Sequence, residues 1–190
     1  MRKLKLQVQM TLDGFVAGPN GELDWMWIGK RDETILTKVI ELADTCDTIL
    51  LGRKMTREFI DHWENVLENQ RDGVDHALSE RMVSMRKIVY SRREKAIKGR
   101  NAEIENGDLA TTIHVLKKQE GKDIMVYGGA TFVSSLISQN LIDEYYIFRR
   151  PVAIGTGLSI FKEQKALELE SSIIYKNGVL LNKYRPAQIA

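Results

Sequence analysis

Apolar and polar side chains follow two different periods along the first part of the chain. Residues 3–11 alternate polar with apolar side chains, which predicts a strand, and a glycine-rich loop follows it. In residues 31–44 the apolar positions recur every three or four residues, which predicts an amphipathic helix with an acidic start. The continuous apolar run 48–51 predicts a strand buried on both faces of a parallel sheet, and a helix is expected after it.

The alternation of strands and helices continues to the end of the chain. Residues 61–76 are polar and contain turn-prone residues, in contrast to the helical pattern of residues 77–85. Residues 168–184 are predicted to form two strands that turn at Lys176-Asn177-Gly178, because Asn-Gly is a strong hairpin signal. The remaining predictions are strands over 87–90, 123–127 and 143–152 and helices over 109–119 and 130–140.

This order of elements predicts the fold class. Strands alternating with helices and closed by a C-terminal hairpin are typical of an α/β fold with a mainly parallel sheet and an antiparallel edge. A chain of 190 residues falls within the usual size of one domain, and no repeat or linker divides it. Residues 1–190 are therefore predicted to form a single domain.

Composition excludes several classes of protein. With 43% hydrophobic and 28% charged residues, the chain is typical of a globular protein, and its net charge of +2 is too small to indicate nucleic-acid binding. The lone Cys46 cannot form an intramolecular disulfide, and no secretion signal or membrane-spanning apolar run is present, so we expect a cytoplasmic protein without membrane contact. His62, His76 and His114 lack metal-ligand spacing with Cys46, so no metal is expected.

Three predicted strands end in glycine or in cationic residues, where α/β sheets usually bind ligands. Gly52-Arg53-Lys54 and Gly128-Gly129-Ala130 each lead into a helix, whose free N–H groups attract phosphate. Ser91-Arg92-Arg93 offers a hydroxyl and two guanidinium groups, which suit a 2′-phosphate. Each segment alone could equally be a solvated turn, but the three together favour a nucleotide site. They match neither the dinucleotide-binding glycine fingerprint nor a P-loop.

In this order the segments resemble the dihydrofolate reductase-like superfamily, and within it the RibD C-terminal family of riboflavin-biosynthesis reductases. The resemblance implies a three-layer fold and NADPH as cofactor. It is carried by the segments Thr11 to Ala17, Gly52-Arg53-Lys54, Tyr90-Ser91-Arg92, Tyr127-Gly128-Gly129 and Pro151 to Gly157 with Phe161.

The resemblance also implies roles for individual positions. Val16 and Ala17 match the backbone around the nicotinamide, and the Gly128–Gly129 bond is predicted to be cis. The family commonly has threonine where this chain has Met55, so Thr56, one position later, is the candidate threonine contact with the cofactor. The other positions that match cofactor-binding residues are Gly52, Arg53, Lys54, Ser91, Arg92, Gly128, Gly129, Ala130 and Thr131.

The substrate side is less well defined. The resembling enzymes hold the heterocycle with a carboxylate near the first helix, which points to Asp32 or Glu33, with Asp24 as a loop candidate. Acidic residues in a first helical turn often serve only to complement the helix dipole. Trp25 could wall the substrate pocket or belong to the core. Phe148 is expected to border the substrate. It occupies a position where dihydrofolate reductases tend to carry threonine, which argues against dihydrofolate as substrate.

The sequence therefore predicts an NADPH-dependent reductase that transfers hydride to a C=N or C=O carbon of a small heterocycle. The nearest activity by resemblance is 5-amino-6-(5-phosphoribosylamino)uracil reductase, and a true dihydrofolate reductase is less favoured. The alternative is a regulatory or catalytically idle nucleotide-binding domain. Arg149-Arg150 could bind a substrate phosphate or protect an exposed strand edge. Relatives often dimerise through strands of the sheet, which implies a homodimer.

Overall fold

The computed structural model describes residues 1–187, and residues 188–190 of the predicted 1–190 domain lie outside the described part. The strands are β1 Leu4–Met10, β2 Cys46–Gly52, β3 Arg86–Tyr90, β4 Ala102–Glu105, β5 Asp123–Gly128, β6 Glu144–Arg149, β7 Leu167–Ile174 and β8 Leu180–Pro186. The helices are α1 Glu33–Asp44, α2 Arg53–Asn69, α3 Gly73–Ser84, α4 Leu109–Lys118 and α5 Ala130–Ser138, with a short 3-10 helix over Asp24–Trp27.

All eight strands form one sheet in the order β4-β3-β2-β5-β1-β6-β8-β7. Strands β1 to β6 pair in parallel, whereas β8 pairs antiparallel with both β6 and β7. The predicted α/β fold, with a mainly parallel sheet and an antiparallel C-terminal hairpin, is confirmed. The chain passes from β1 to β2 while β5 lies between them. The carboxyl ends of β2, β5 and β1 therefore lie where the strand order changes direction, which is where open α/β sheets usually bind ligands.

Helices cover both faces of the sheet, which gives the expected three layers. Strand residues such as Leu6 and Val126 pack with α4 and α5 on one face. Their neighbours in sequence, such as Met125, pack with α1 and α3 on the other face. Since strand side chains alternate between faces, strands covered on both sides read as nearly continuous apolar runs.

The structure contains more regular structure than the sequence predicted. Helix α2 continues to Asn69 and α3 begins at Gly73 rather than at residue 77, so most of the polar segment 61–76 is helical, and β4 was not predicted from the sequence. Only one side of α2 is apolar, and Phe59, Ile60 and Trp63 supply its contacts with the protein. The charged residues of α2 face solvent, so the composition of its C-terminal half resembles that of a loop between two elements.

The predicted hairpin is confirmed, and its turn places β7 at the edge of the sheet. Gly178 has a φ of 84°, which favours glycine, and β7 and β8 pair on either side of the turn. Leu169 and Ile174 of β7 are exposed. A single chain does not test the homodimer, which stays a prediction.

Residues 1–187 contain no helix that is long and apolar enough to cross a membrane. The same residues contain no group of three or more His, Cys, Asp or Glu side chains that could hold a metal ion.

A buried lysine closes the end of α3. The Nζ atom of Lys87 donates hydrogen bonds to the carbonyl oxygens of Met82, Val83 and Met85, at 3.0, 2.8 and 2.9 Å. Its side chain is 1% exposed. The last carbonyls of a helix have no partner within the helix, so a buried helix end needs donors of this kind.

We expect Lys87→Met to lower the free energy of unfolding by about 2–3 kcal/mol, because it leaves buried carbonyls unpaired while keeping the apolar stem. Urea denaturation followed by circular dichroism measures this loss. Lys98→Met, at an exposed lysine, is the control and should change stability by less than about 0.5 kcal/mol. Equal stability of the two variants would show that the three hydrogen bonds contribute nothing.

Candidate functional site

The predicted cofactor residues come together at one edge of the sheet. Strands β3, β2, β5 and β1 are neighbours and run parallel, so their carboxyl ends share this edge. Ser91 follows β3, Gly52 ends β2, Gly128 ends β5 and Thr11 follows β1. Segments that follow one another at intervals of 37 to 41 positions in the sequence therefore lie at the same edge.

Two helices begin side by side at the centre of this edge. Gly52 and Gly129 are the N-cap residues of α2 and α5, and neither helix has a side-chain cap. A Cβ atom on Gly52 would lie 2.7 Å from Cβ of Phe132 and 3.1 Å from the backbone nitrogen of Gly129. Only glycine at position 52 permits this approach. The free N–H groups of both helices and their positive dipole ends thus point to one small region, which suits a phosphate group.

The two adjacent glycines at the end of β5 have different surroundings. Gly128 has a φ of 148° and lies against the Sδ atom of Met55, so that a Cβ atom there would be 2.7 Å from sulfur. Apart from Gly129 itself and its two neighbours in the chain, no protein atom lies within 4 Å of the position that a Cβ atom on Gly129 would take. The peptide bond between them is cis, as predicted. Open space therefore lies directly over the N-terminus of α5, where Ala130 and exposed Thr131 begin the helix.

Cationic side chains surround the two helix ends. Arg53 and Lys54 are exposed in the first turn of α2, and Nη1 of Arg53 lies 3.8 Å from Oε1 of Glu94. Arg92 is exposed in the turn after β3. Ser91 is 4% exposed, and its Oγ atom accepts hydrogen bonds from the backbone nitrogens of residues 93 and 94. The serine thus shapes the turn that presents Arg92.

The predicted contact between Thr56 and the cofactor does not hold in this structure. The threonine side chain has no exposed surface, and its hydroxyl donates to the carbonyl oxygen of Gly52 at 3.1 Å. A side chain with no exposed surface cannot touch a ligand, so Thr56 stabilises the first turn of α2 instead. The sequence suggested a cofactor contact because Thr56 lies one position after Met55, which matches the family's threonine. Adjacent residues of a helix point in different directions, so Thr56 does not take the place of that threonine.

Hydrogen bonds fix the loop after β1. The Oδ2 atom of Asp13 accepts from the backbone nitrogens of residues 154 and 155 at 3.0 and 2.7 Å, and the Thr11 hydroxyl donates to Oδ1 at 2.6 Å. These hydrogen bonds lower the pKa of Asp13, and the bond from Thr11 has the largest effect. The backbones of Val16 and Ala17 then form a bridge to Leu158 through the Val16 nitrogen and the Ala17 oxygen. The Val16 oxygen and the Ala17 nitrogen take no part in this bridge.

The three candidate carboxylates lie at the surface. Asp32 is the N-cap of α1 and accepts hydrogen bonds from the backbone nitrogen and the hydroxyl of Thr34. The bond from the hydroxyl has the larger effect in lowering the pKa of Asp32. Glu33 and Asp24 are exposed. Asp32 thus has a clear structural role, and its lowered pKa makes it a poor proton donor at neutral pH.

The two residues predicted to border the substrate are buried. Phe148 has no exposed surface and stacks against Tyr175 with ring centres 6.5 Å apart, so its predicted contact with substrate is wrong for this structure. Trp25 is only 2% exposed, and within residues 1–187 its indole nitrogen has no hydrogen-bond partner. Neither side chain therefore offers a ligand more than a trace of exposed surface in this structure.

The sequence interpretation missed two polar side chains of β1. Gln7 is 6% exposed and, among the described residues, its Oε1 atom has no partner, whereas Oε1 of Gln9 accepts from Nε of Arg150 at 3.1 Å. Polar residues are unusual in a strand that is covered on both faces of the sheet. Gln7 and Gln9 could therefore have been noticed in the sequence as polar positions of β1.

Fold and site together define an α/β protein in which two helix N-termini without side-chain caps lie at the carboxyl edge of the sheet. Residues 2–181 match the RibD C-terminal domain family. The uncharacterized protein YyaP of Bacillus subtilis is 31% identical over 183 residues, which cover 94% of this chain and 92% of that protein. The chain therefore belongs to the RibD C-terminal domain family.

A short region is similar to a reductase of known reaction. The 2,5-diamino-6-ribosylamino-4(3H)-pyrimidinone 5′-phosphate reductase of Archaeoglobus fulgidus is 43% identical over 51 residues, which cover 27% of this chain and 23% of that enzyme. The match spans about a quarter of either protein.

Solved structures agree with the fold. A putative riboflavin biosynthesis protein from Shewanella sp. PV-4 superposes with a TM-score of 0.74 at 19% identity, over 98% of this chain and 99% of that one. A dihydrofolate reductase from Enterococcus faecalis, complexed with NADP(H), superposes with a TM-score of 0.63 at 14% identity, over 98% and 97% of the two chains. At these identities the likeness concerns the fold alone.

We expect Gly129→Ala to leave stability within about 1 kcal/mol of the wild type, because the new methyl group meets no protein atom and φ is already −77°. The methyl group fills the space over the helix end, so affinity for NADPH should fall about tenfold or more. Calorimetric titration and thermal melting measure the two effects.

Gly52→Ala is the matched comparison for this experiment. Its methyl group meets Phe132 inside the protein, so the melting temperature should fall by several degrees, since overpacking costs about 1–3 kcal/mol. Wild-type affinity for NADPH in Gly129→Ala would contradict the placement of phosphate at this helix end.

Proposed function

We propose that this chain is an NADPH-dependent reductase that transfers hydride to a small heterocyclic substrate. The single observation that carries the proposal is the pair of glycine-capped helix ends with open space over Gly129. Such an arrangement binds a pyrophosphate through backbone N–H groups without any cation of its own. Membership of the RibD C-terminal domain family and the NADP(H) named with the dihydrofolate reductase of the same fold support this choice of ligand.

The exposed cations are assigned to the adenosine side of NADPH. Arg92, held out by the Ser91 turn, would bind the 2′-phosphate, and Arg53 and Lys54 would lie beside the pyrophosphate. A guanidinium group offers paired donors that match phosphate oxygens. The ion pair of Arg53 with Glu94 is exposed and weak, so it is exchanged for a phosphate at little cost.

The loop after β1 is assigned to the nicotinamide. Asp13 holds this loop on residues 154 and 155, and the free backbone groups of Val16 and Ala17 can pair with a carboxamide. NADPH supplies the hydride when it is bound. The protein's own task is then to orient the ring and the substrate, which is the main contribution of a protein to cofactor chemistry.

The proposed substrate is a pyrimidinone or a related heterocycle. The reductase of Archaeoglobus fulgidus, whose name gives a ribosylaminopyrimidinone phosphate as substrate, supports this class. By the same resemblance the nearest reaction is the reduction of 5-amino-6-(5-phosphoribosylamino)uracil. Dihydrofolate is a less favoured substrate, because the fully buried Phe148 occupies the position where dihydrofolate reductases tend to carry a polar threonine.

One observation favours the second candidate, a domain that binds the nucleotide without turnover. Asp32 is used as a helix cap, and Glu33 and Asp24 are exposed, so no candidate carboxylate is held against the site. The absorbance of NADPH in the presence of a panel of pyrimidinones and pterins shows whether NADPH is oxidised, which separates the reductase from the regulatory domain. Tight NADPH binding without oxidation of any of them would favour the regulatory domain.

We expect Arg92→Ala to weaken NADPH binding about 10- to 100-fold and to leave NADH binding unchanged, because only NADPH carries the 2′-phosphate. Calorimetric titration with both nucleotides measures the change. Arg71→Ala, at an exposed arginine between α2 and α3, is the control and should bind both nucleotides as the wild type does. Equal affinity of the wild type for NADPH and NADH would refute the assignment of the 2′-phosphate.

A further inference from the structure

Two buried polar atoms on neighbouring strands have no hydrogen-bond partner among residues 1–187. They are the Oε1 atom of Gln7 on β1 and the hydroxyl oxygen of Tyr127 on β5. Gln7 is 6% exposed, whereas Tyr127 is half-buried and only its hydroxyl is fully shielded from solvent. Burial raises the pKa of Tyr127 above its usual value, so the hydroxyl keeps its proton and remains a donor. One side chain therefore offers an acceptor and the other a donor.

The register of the sheet makes these two side chains neighbours. Strands β1 and β5 run parallel and pair Leu6 with Val126. Gln7 and Tyr127 follow these two residues, so they are neighbours too, with backbones about 4.8 Å apart. Leu6 and Val126 pack with α4 and α5. Because strand side chains alternate, Gln7 and Tyr127 both point to the opposite face, where the Tyr127 ring lies 5.6 Å from the ring of Phe59.

Side chains of the same two types nearby do have partners. Tyr146 is the direct neighbour of Gln7 on β6, and its hydroxyl donates to Oε2 of Glu144 at 2.8 Å. Gln9, two positions further along the same face of β1, accepts from Nε of Arg150 at 3.1 Å. The lack of partners is therefore a property of the first pair and not of this layer of the protein.

The pair lies beside the proposed cofactor site. Tyr127 immediately precedes Gly128, and Gln7 lies three residues before the end of β1, whose following loop is assigned to the nicotinamide. Both polar atoms are shielded from solvent, so a ligand reaches them only if the side chains packed around them move. Buried polar atoms without partners destabilise the folded protein, and hydrogen bonds gained on binding would offset the cost of this movement.

An acceptor beside a donor is complementary to a group that carries a donor beside an acceptor. A ring lactam, in which an N–H is bonded to the carbon of a C=O, is such a group. We propose that Gln7 and Tyr127 select the substrate by binding the lactam edge of its heterocycle. The ring N–H donates to Oε1 of Gln7, and the Tyr127 hydroxyl donates to the ring carbonyl oxygen. This inference rests on the proposed function, because it names the residues that recognise the substrate in the same site.

The test compares 2-amino-4(3H)-pyrimidinone with 2-amino-4-methoxypyrimidine on NADPH-saturated protein. The second compound keeps the ring but has neither the lactam N–H nor the carbonyl. In calorimetric titrations the pyrimidinone should bind about tenfold tighter or more, because the methoxy compound leaves both buried polar atoms unpaired. Equal affinity for the two compounds, or no binding of the pyrimidinone, overturns the inference.

Two variants assign the preference to this pair. Gln7→Leu and Tyr127→Phe each remove an unpartnered polar atom and keep most of the volume of the side chain. Each should abolish the preference for the pyrimidinone and raise the melting temperature by about 2–4 °C, because a buried group without a partner is lost. A preference that survives in either variant overturns the inference.

Gln9→Leu and Tyr146→Phe are the matched controls, because the same substitutions there remove a polar atom that has a partner. Both should lower the melting temperature by about 2–4 °C. A similar fall in Gln7→Leu and Tyr127→Phe would show that their polar atoms have partners inside the protein, and it would overturn the inference.

Repeating the titrations without NADPH distinguishes this inference from the proposed function. If NADPH fails to bind the wild type, the reductase proposal fails, yet a lactam preference that is lost in Gln7→Leu and Tyr127→Phe still supports the role of the pair. If NADPH binds and the lactam preference is absent, the reductase proposal stands and this inference is wrong.

Discussion

The close approach of Gly52, at the start of α2, to the first turn of α5 is the constraint on which the site depends. It requires that position 52 carries no side chain, because a Cβ atom there would press on Phe132 and on the backbone of Gly129. With glycine, two uncapped helix N-termini meet where β2 and β5 end side by side. The first N–H groups of each helix have no hydrogen-bond partner within the helix, so the two helix ends attract an anion at this point.

Much of the fold and of the cofactor side could be predicted from the sequence because their causes are local. Apolar runs that end in glycine predicted β2 and β5, alternation predicted β1, and Asn177-Gly178 predicted the hairpin. The shared edge then follows, since parallel strands place their carboxyl ends together. The cis bond at Gly128–Gly129 came from family resemblance, not from any period or spacing in the chain.

The substrate side could not be predicted because its features depend on tertiary packing. An acidic residue before a helix can be a cap or a catalytic group, and only the hydrogen bonds of Asp32 to Thr34 decide between them. The burial of Phe148 and Thr56 depends on which face of a strand or helix each side chain occupies. The proposed cofactor side thus rests on backbone groups and exposed cations that the sequence reveals, and the proposed substrate side on side chains whose surroundings it does not.

The most direct test of the central claim is a crystal structure of the chain soaked with NADPH. The account predicts that the pyrophosphate lies within hydrogen-bond distance of the N–H groups that begin α5 and α2. It also places the 2′-phosphate beside Arg92 and the nicotinamide beside Val16 and Ala17. NADPH bound elsewhere on the chain, or no density for it at saturating concentration, would contradict the account.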